Sequence, residues 1–304
     1  MFSLPEPLGI DPRVDLVFAW LFGDPDHEAF LLDFLNAVLA GDGPTITRAT
    51  VKNPIHPGSF EGDREMRVDI EVVDEVGCTY QIEMQRQARR GLEQRMLYGW
   101  ARLYAGQPRE EPSYRRLRPV VAIWVCDEDA FPDAAGAHLR FRVREVAEEL
   151  PLHSDFRIEV LQLARVSATG TGLPDVNLGR WARFLNEVAG WRALPEEVYT
   201  PTLENAMRAM NTFRTDSELN AIYQARHNFQ MEFSAEIKEI AELKNVRAAL
   251  EESRGALEES RGALEESRGA LEESRLATEA ERAAKEAALA ELAQLRGELA
   301  QTRG

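Results

Sequence analysis

An α/β core, followed by a helical region and a long heptad-patterned helix, is the architecture this sequence predicts. Three observations point to it. Residues 67–73 and 78–85 alternate apolar and polar with period two and lie between helical segments. The run Pro119–Cys126 is continuously apolar over the length of a buried strand. From Leu250 onward the unit Leu-Glu-Glu-Ser-Arg-Gly-Ala recurs every seven residues.

Taken in order, Asp15–Leu39 reads as two helices. Val14, Phe18, Leu21 and Phe22 share one face, and Phe30, Phe34, Leu35 and Val38 share the next. The two alternating stretches are joined by Asp74-Glu-Val-Gly77, a turn-forming sequence, and so read as a hairpin. Gly91–Tyr104 has helical spacing through Leu92, Met96, Trp100 and Leu103. Pro119–Cys126 and Phe156–Leu163 are predicted strands. The glycine-bearing stretch Ser167–Pro174 reads as a linker, and it lacks the Lys-Ser/Thr of a phosphate-binding loop. Beyond it, Trp181, Phe184, Leu185 and Val188, then Leu203, Ala206, Met207 and Met210, repeat at helical spacing.

These boundaries divide the chain into a core domain over 1–170, a helical extension over 171–245 and a heptad tail over 246–304. In the tail, leucines 250, 257, 264, 271, 292 and 299 keep one heptad phase, and serines 253, 260, 267 and 274 fill the second core position. Glycines 255, 262 and 269 each cost about 1 kcal/mol against alanine in a helix. A long, marginal helix that pairs with a second copy is expected; a single solvated helix is the plainer alternative.

Composition excludes several classes. Of 304 residues, 44% are hydrophobic and two are cysteines, which describes a folded chain without a disulfide framework. The longest apolar run is too short to span a bilayer, and the N-terminus lacks a basic and apolar leader pattern, so a cytoplasmic protein is expected. The net charge of −16 argues against nucleic acid as partner, yet it is unevenly spread. Residues 86–118 hold nine arginines and three glutamates, a net of +6, leaving −22 for the remainder. Such an island is either a binding surface or an internal set of counter-ions.

The hairpin carries the chemistry. In 67–73, Val68, Ile70 and Val72 face one side while Asp69 and Glu71 face the other; in 78–85, Gln81, Glu83 and Gln85 form the polar face. A turn centred near residue 76 sets Asp69 opposite Glu83 and Glu71 opposite Gln81. Carboxylates directly opposed, with β-carbons about 5 Å apart, repel unless a cation bridges them. Mg²⁺ is suited to that place, because it takes carboxylate oxygens and keeps several waters. Gln85 projects to the same face. A hairpin whose polar face is merely solvated shows the same alternation. The five histidines (27, 56, 138, 153 and 227) have no metal-ligand spacing, and Cys78 and Cys126 read as small core residues. Tyr98 and Tyr104 read as packing residues.

Asp69, then Glu83-Met84-Gln85, then Arg95-x-x-Tyr98 resembles the PD-(D/E)XK nuclease superfamily, and within it the Rpn-type recombination-promoting nuclease and transposase family. Further matching segments are Asp15-x-x-Phe18-x-x-x-Phe22-Gly23, Phe30–Val38, Tyr114-x-x-Leu117-x-Pro119–Ile123 and Trp181-x-x-Phe184-Leu185, so that the likeness runs over about 11–230. The resemblance implies a restriction-endonuclease-like α/β core and metal-dependent hydrolysis of DNA phosphodiester bonds. It implies Asp69 and Glu83 as ligands of Mg²⁺ (or Mn²⁺ or Ca²⁺), with the Met84 carbonyl as a further ligand. Gln85 stands where the superfamily has lysine, which implies positioning rather than charge. Asp15 matches the acid of the first helix, and Ala19 stands where that helix usually has a lysine. Arg86, Arg89, Arg90 and Arg95 are then the expected DNA contacts. The alternatives are a catalytically weakened DNA-binding or scaffold protein and a coiled-coil assembler whose core binds protein.

Overall fold

The computed structural model describes residues 2–53, 69–87, 90–108, 114–166, 172–173 and 175–301. It forms two compact units, Met1–Gln230 and Met231–Gly304.

The first unit is built on a six-stranded mixed sheet of order β1-β2-β3-β4-β6-β5. The strands are β1 (Ala49–Val51), β2 (Ile70–Asp74), β3 (Thr79–Gln85), β4 (Val120–Cys126), β5 (His138–Phe141) and β6 (Phe156–Gln162). β2 runs antiparallel to both its neighbours, β1 and β3; β3, β4 and β6 are parallel, and β5 closes the far edge antiparallel to β6. β4 lies at the centre with all seven residues buried, which accounts for its unbroken apolar sequence. Gly77, at φ +85°, makes the tight turn between β2 and β3 in a conformation that disfavours other residues. The Glu75 carboxylate in that turn accepts from the Thr47 and Arg48 amides and the Thr47 hydroxyl, pinning the entry to β1. Backbone N–H groups of Glu75 itself and of Thr47 pull this carboxyl down to about 2.

Helices cover both faces. On one lie α1 (Asp15–Gly23), α2 (Glu28–Val38), α4 (Val176–Glu187) and α5 (Pro201–Thr215). Their side chains join Tyr80, Ile82, Met84, Val121, Ile123 and Val125 in the larger core. The residues of α1 after Asp15 are all buried, so its sequence is apolar around the whole circumference instead of along one stripe. α4 starts where Asp175 accepts from the Leu178 amide at 2.9 Å; α5 starts at Pro201, behind Thr200, whose hydroxyl accepts from Leu203 at 3.1 Å. Asp33 of α2 accepts from Trp181 Nε1 at 2.7 Å and Asn177 Nδ2 at 3.0 Å, tying α2 to α4. The boundary expected near residue 170 therefore falls inside this first unit, and most of the expected linker lies outside the described residues.

The opposite face carries α3 (Leu92–Ala105). Leu92 and Met96 pack on Ala122, Trp124, Cys126, Ile158 and Val160. β1 and β5 are short edge strands without a marked alternation, and the sequence alone does not announce them.

α6 (Ser217–Gln301) contributes its first turns to the first unit, where Tyr223 is buried, and makes up the described part of the second. There Leu250, Leu257, Leu264 and Leu271 are 61–75% exposed at their seven-residue spacing. Arg-Glu pairs four apart, such as Arg254–Glu258 at 3.7 Å and Arg275–Glu279 at 3.6 Å, line the helix.

All five tryptophans lie in the first unit, so their fluorescence reports its unfolding without contribution from residues 231–304. Phe184→Ala removes a fully buried ring and should lower the unfolding free energy by about 3–5 kcal/mol in urea. The loss should come in a single fluorescence transition, because α4 shares its core with the sheet; two separate transitions would show that α4 folds independently.

Candidate active site

The face of β3 beneath α3 is polar. Ile70 pairs with Ile82 and Glu71 with Gln81, so the register continued by one residue sets Asp69 opposite Glu83, as the turn predicted. Gln81, Glu83 and Gln85 are 5%, 8% and 8% exposed. This excludes the simple solvated hairpin: carboxylate and amides are buried, and each needs a partner.

The partners come largely from α3. Arg95 forms an ion pair with Glu83, donates from Nη1 to Gln85 Oε1 at 2.9 Å, and lies over the Trp124 ring at 5.2 Å. The Gln85 amide nitrogen donates to the Gln87 carbonyl at 2.6 Å, so both ends of that side chain are held. One heptad along the helix, Arg102 Nη2 stands 3.8 Å from Asp69 Oδ2, which also accepts from Gln81 Nε2 at 3.1 Å. The Asp69 carbonyl accepts from Asn53 Nδ2 at 2.7 Å. Between the two arginines, a β-carbon at Gly99 would stand 3.1 Å from Gln81 Oε1, so the absence of a side chain there lets the helix settle on the row. Arg95, Gly99 and Arg102 form one helical stripe laid over Glu83, Gln81 and Asp69.

The oxygen-rich row suits a hard divalent cation. Two carboxylates share one face, Asp69 just before β2 and Glu83 on β3, and Gln81 Oε1 is buried without a hydrogen-bond partner among the described residues. Among those residues no group of three or more His, Cys, Asp or Glu is placed to hold a metal, so the carboxylate pair is the donor set available.

Asp15 heads α1 and is held by α6. α1 packs on the opposite face of the sheet, and the Asp15 carboxylate accepts from Arg226 of α6, through Nε at 3.0 Å and Nη2 at 2.5 Å. Arg86, at the end of β3, lies 3.8 Å from Asp11 and 3.7 Å from Asp127, two carboxylates that Arg13 bridges at 2.9 Å each. Burial pushes the Arg13 guanidinium down, but the hydrogen bonds and charges of Asp11 and Asp127 outweigh it and raise its pKa. Arg90 is exposed just ahead of α3, whereas Arg89 lies outside the described residues. Tyr104 packs as expected, stacked on Trp100 and bonded to Asp155 at 2.8 Å; Tyr98 does not, being 71% exposed on α3. Burial pushes the Cys78 thiol up to about 11 and that of Cys126 up to about 12, so neither is a nucleophile near neutrality.

Sequence reasoning missed Gln81, Gly99, Asn53 and Arg102 as parts of this site. The seven-residue spacing of Arg95 and Arg102 with a glycine between them is the signal that could have found two of the four, Gly99 and Arg102.

With this geometry established, comparison with known proteins is decisive for the family. A family model described as PD-(D/E)XK nuclease family transposase matches residues 12–239, about three quarters of the chain. The chain belongs to this family. Its mixed sheet with helices on both faces is accordingly an α/β nuclease-like fold. No curated protein and no solved structure matches the chain significantly. Among the described residues, no helix of this family member is long and apolar enough to cross a membrane.

The fit of α3 on the row can be tested through Gly99. Gly99→Ala gains about 1 kcal/mol of helix propensity but crowds Gln81. In a Gln81→Ala background the crowding is gone, and the same substitution should stabilise by about 1 kcal/mol. Equal effects of Gly99→Ala in both backgrounds, measured by urea denaturation, would show that the helix does not rest on Gln81.

Proposed function

We propose that this family member is a divalent-metal-dependent DNA endonuclease, hydrolysing phosphodiester bonds in recombination or the movement of DNA. The observation that supports it best is the placing of Asp69 opposite Glu83, in a chain of the PD-(D/E)XK family. In this reading Asp69 and Glu83 hold the cation. When bound, Mg²⁺ (or Mn²⁺ or Ca²⁺) supplies Lewis-acid polarisation of a phosphodiester. Gln85 has no charge to offer and serves by orientation. Arg86, Arg89 and Arg90 are the arginines this reading assigns to the DNA backbone, contacts that give affinity which falls with salt and carries no base specificity. The reading puts the protein in the cytoplasm, where its two free cysteines stay reduced.

A specific observation favours a second reading. Glu83 is taken by Arg95 and the Gln85 amide is spent on a backbone carbonyl, which is what a DNA-binding scaffold that has lost catalysis would also show.

The two separate on plasmid DNA with Mg²⁺ or Mn²⁺. The nuclease reading expects nicking that Asp69→Asn and Glu83→Gln each reduce by about 100-fold or more. Nicking that survives both changes would place the chemistry elsewhere. DNA retention without any metal-stimulated nicking would favour the scaffold.

For the second unit we propose self-association along the exposed leucine seam. Replacing Leu250, Leu257 and Leu264 together by glutamate should reduce the mass seen by light scattering to that of one chain. A wild-type protein already at that mass would end the proposal.

A further inference from the structure

Two rows face each other in the first unit, one carrying the acids and one the arginines. Glu83 lies under Arg95 and Asp69 under Arg102, while Gln81 lies under Gly99, the one position of the stripe without a side chain. The alignment follows from geometry. Alternate residues on one face of a strand are about 6.6–7 Å apart, and two helical turns advance about 10.5 Å over seven residues. Asp69, one residue before β2, stands across from Glu83 of β3, and the long side chains of two arginines seven apart on one helix reach both acids. The arginines are not equivalent. Arg95 is half-covered against Trp124 and bonded to two side chains of the row; Arg102 is 61% exposed and reaches Asp69 only at 3.8 Å.

Like charges on opposed strands need a counter-charge at all times, whether or not a metal is present. We propose that Arg95 and Arg102 are built-in counter-ions of the carboxylate pair, so that a divalent cation enters only by displacing their guanidinium groups. The inference rests on the nuclease reading, because it concerns the carboxylates which that reading assigns to the cation. It gives the site two states, one closed by arginine and one open to metal, and makes the resting protein insensitive to low metal concentrations. It also gives part of the arginine island a purpose apart from DNA: internal charge compensation within a strongly acidic chain.

The test is Mn²⁺ binding by the full chain, without DNA, followed by calorimetry and by the resonance of free Mn²⁺. Arg95→Met and Arg102→Met should each bind Mn²⁺ more tightly than wild type, by about tenfold, the order expected for deleting one competing charge at a partly solvated site. Arg95→Lys keeps the charge and should stay near wild type, which a purely structural role for the side chain does not predict. Arg95→Met strands a buried carboxylate, so its melting temperature in EDTA should fall and Mn²⁺ should raise it by more than in wild type. Arg102→Met, at an exposed position, keeps the test open if Arg95→Met does not fold. Wild type that binds Mn²⁺ with neither methionine variant binding it more tightly would overturn the counter-ion role and leave the nuclease reading standing. No Mn²⁺ binding in any variant, or binding unaffected by Asp69→Asn, would overturn both.

Discussion

Opposed carboxylates on neighbouring strands are the constraint around which the first unit is arranged. At a β-carbon separation of about 5 Å such a pair is unfavourable even at a surface, and Glu83 is not at a surface. Leaving one of its kind without a counter-ion costs about 3–5 kcal/mol, a large part of the stability of an ordinary domain. The fold answers with a helix whose two arginines each reach one of the acids and whose glycine lets it settle on the Gln81 amide. α3 has few buried apolar residues of its own, only Leu92 and Met96, so its position depends on these polar contacts more than that of any helix on the opposite face.

The two faces of the sheet divide the work. The face beneath α1, α2, α4 and α5 is apolar throughout β3 and β4 and holds the larger core, with fully buried rings such as Phe22, Phe34, Trp181 and Phe184. The face beneath α3 has a smaller core around Trp124 and gives its β2–β3 end to polar groups. Strand alternation makes the division possible, since one strand delivers Ile82 to one side and Glu83 to the other. A site of expensive buried charge is thereby carried by a scaffold whose stability comes from elsewhere.

The hairpin, its register and the central strand could be read directly. Period-two alternation and a four-residue turn ending in glycine determine which residues face each other, and no distant contact is needed to work it out. The burial of the hairpin's polar face could not, because carboxylates on a strand look alike whether solvent or a helix covers them. β5 and β1 were illegible for a different reason: edge strands of four and three residues are paired by their neighbours and carry little pattern of their own. Asp15 shows the same limit from the other side. Its place at the head of α1 is evident from the chain, but its engagement with Arg226, more than two hundred residues away, depends on how α6 begins.

Local order, then, was contained in the chain itself: which segments are helices and strands, which residues share a face, which acids oppose each other across the hairpin, and where the heptads run. These follow from periods of 2, 3.6 and 7 that any stretch of backbone imposes on its own side chains. Tertiary structure alone decided which cation answers which acid. That depends on where α3 comes to rest across the sheet, through contacts between residues near in space and distant in sequence, and no periodicity encodes it.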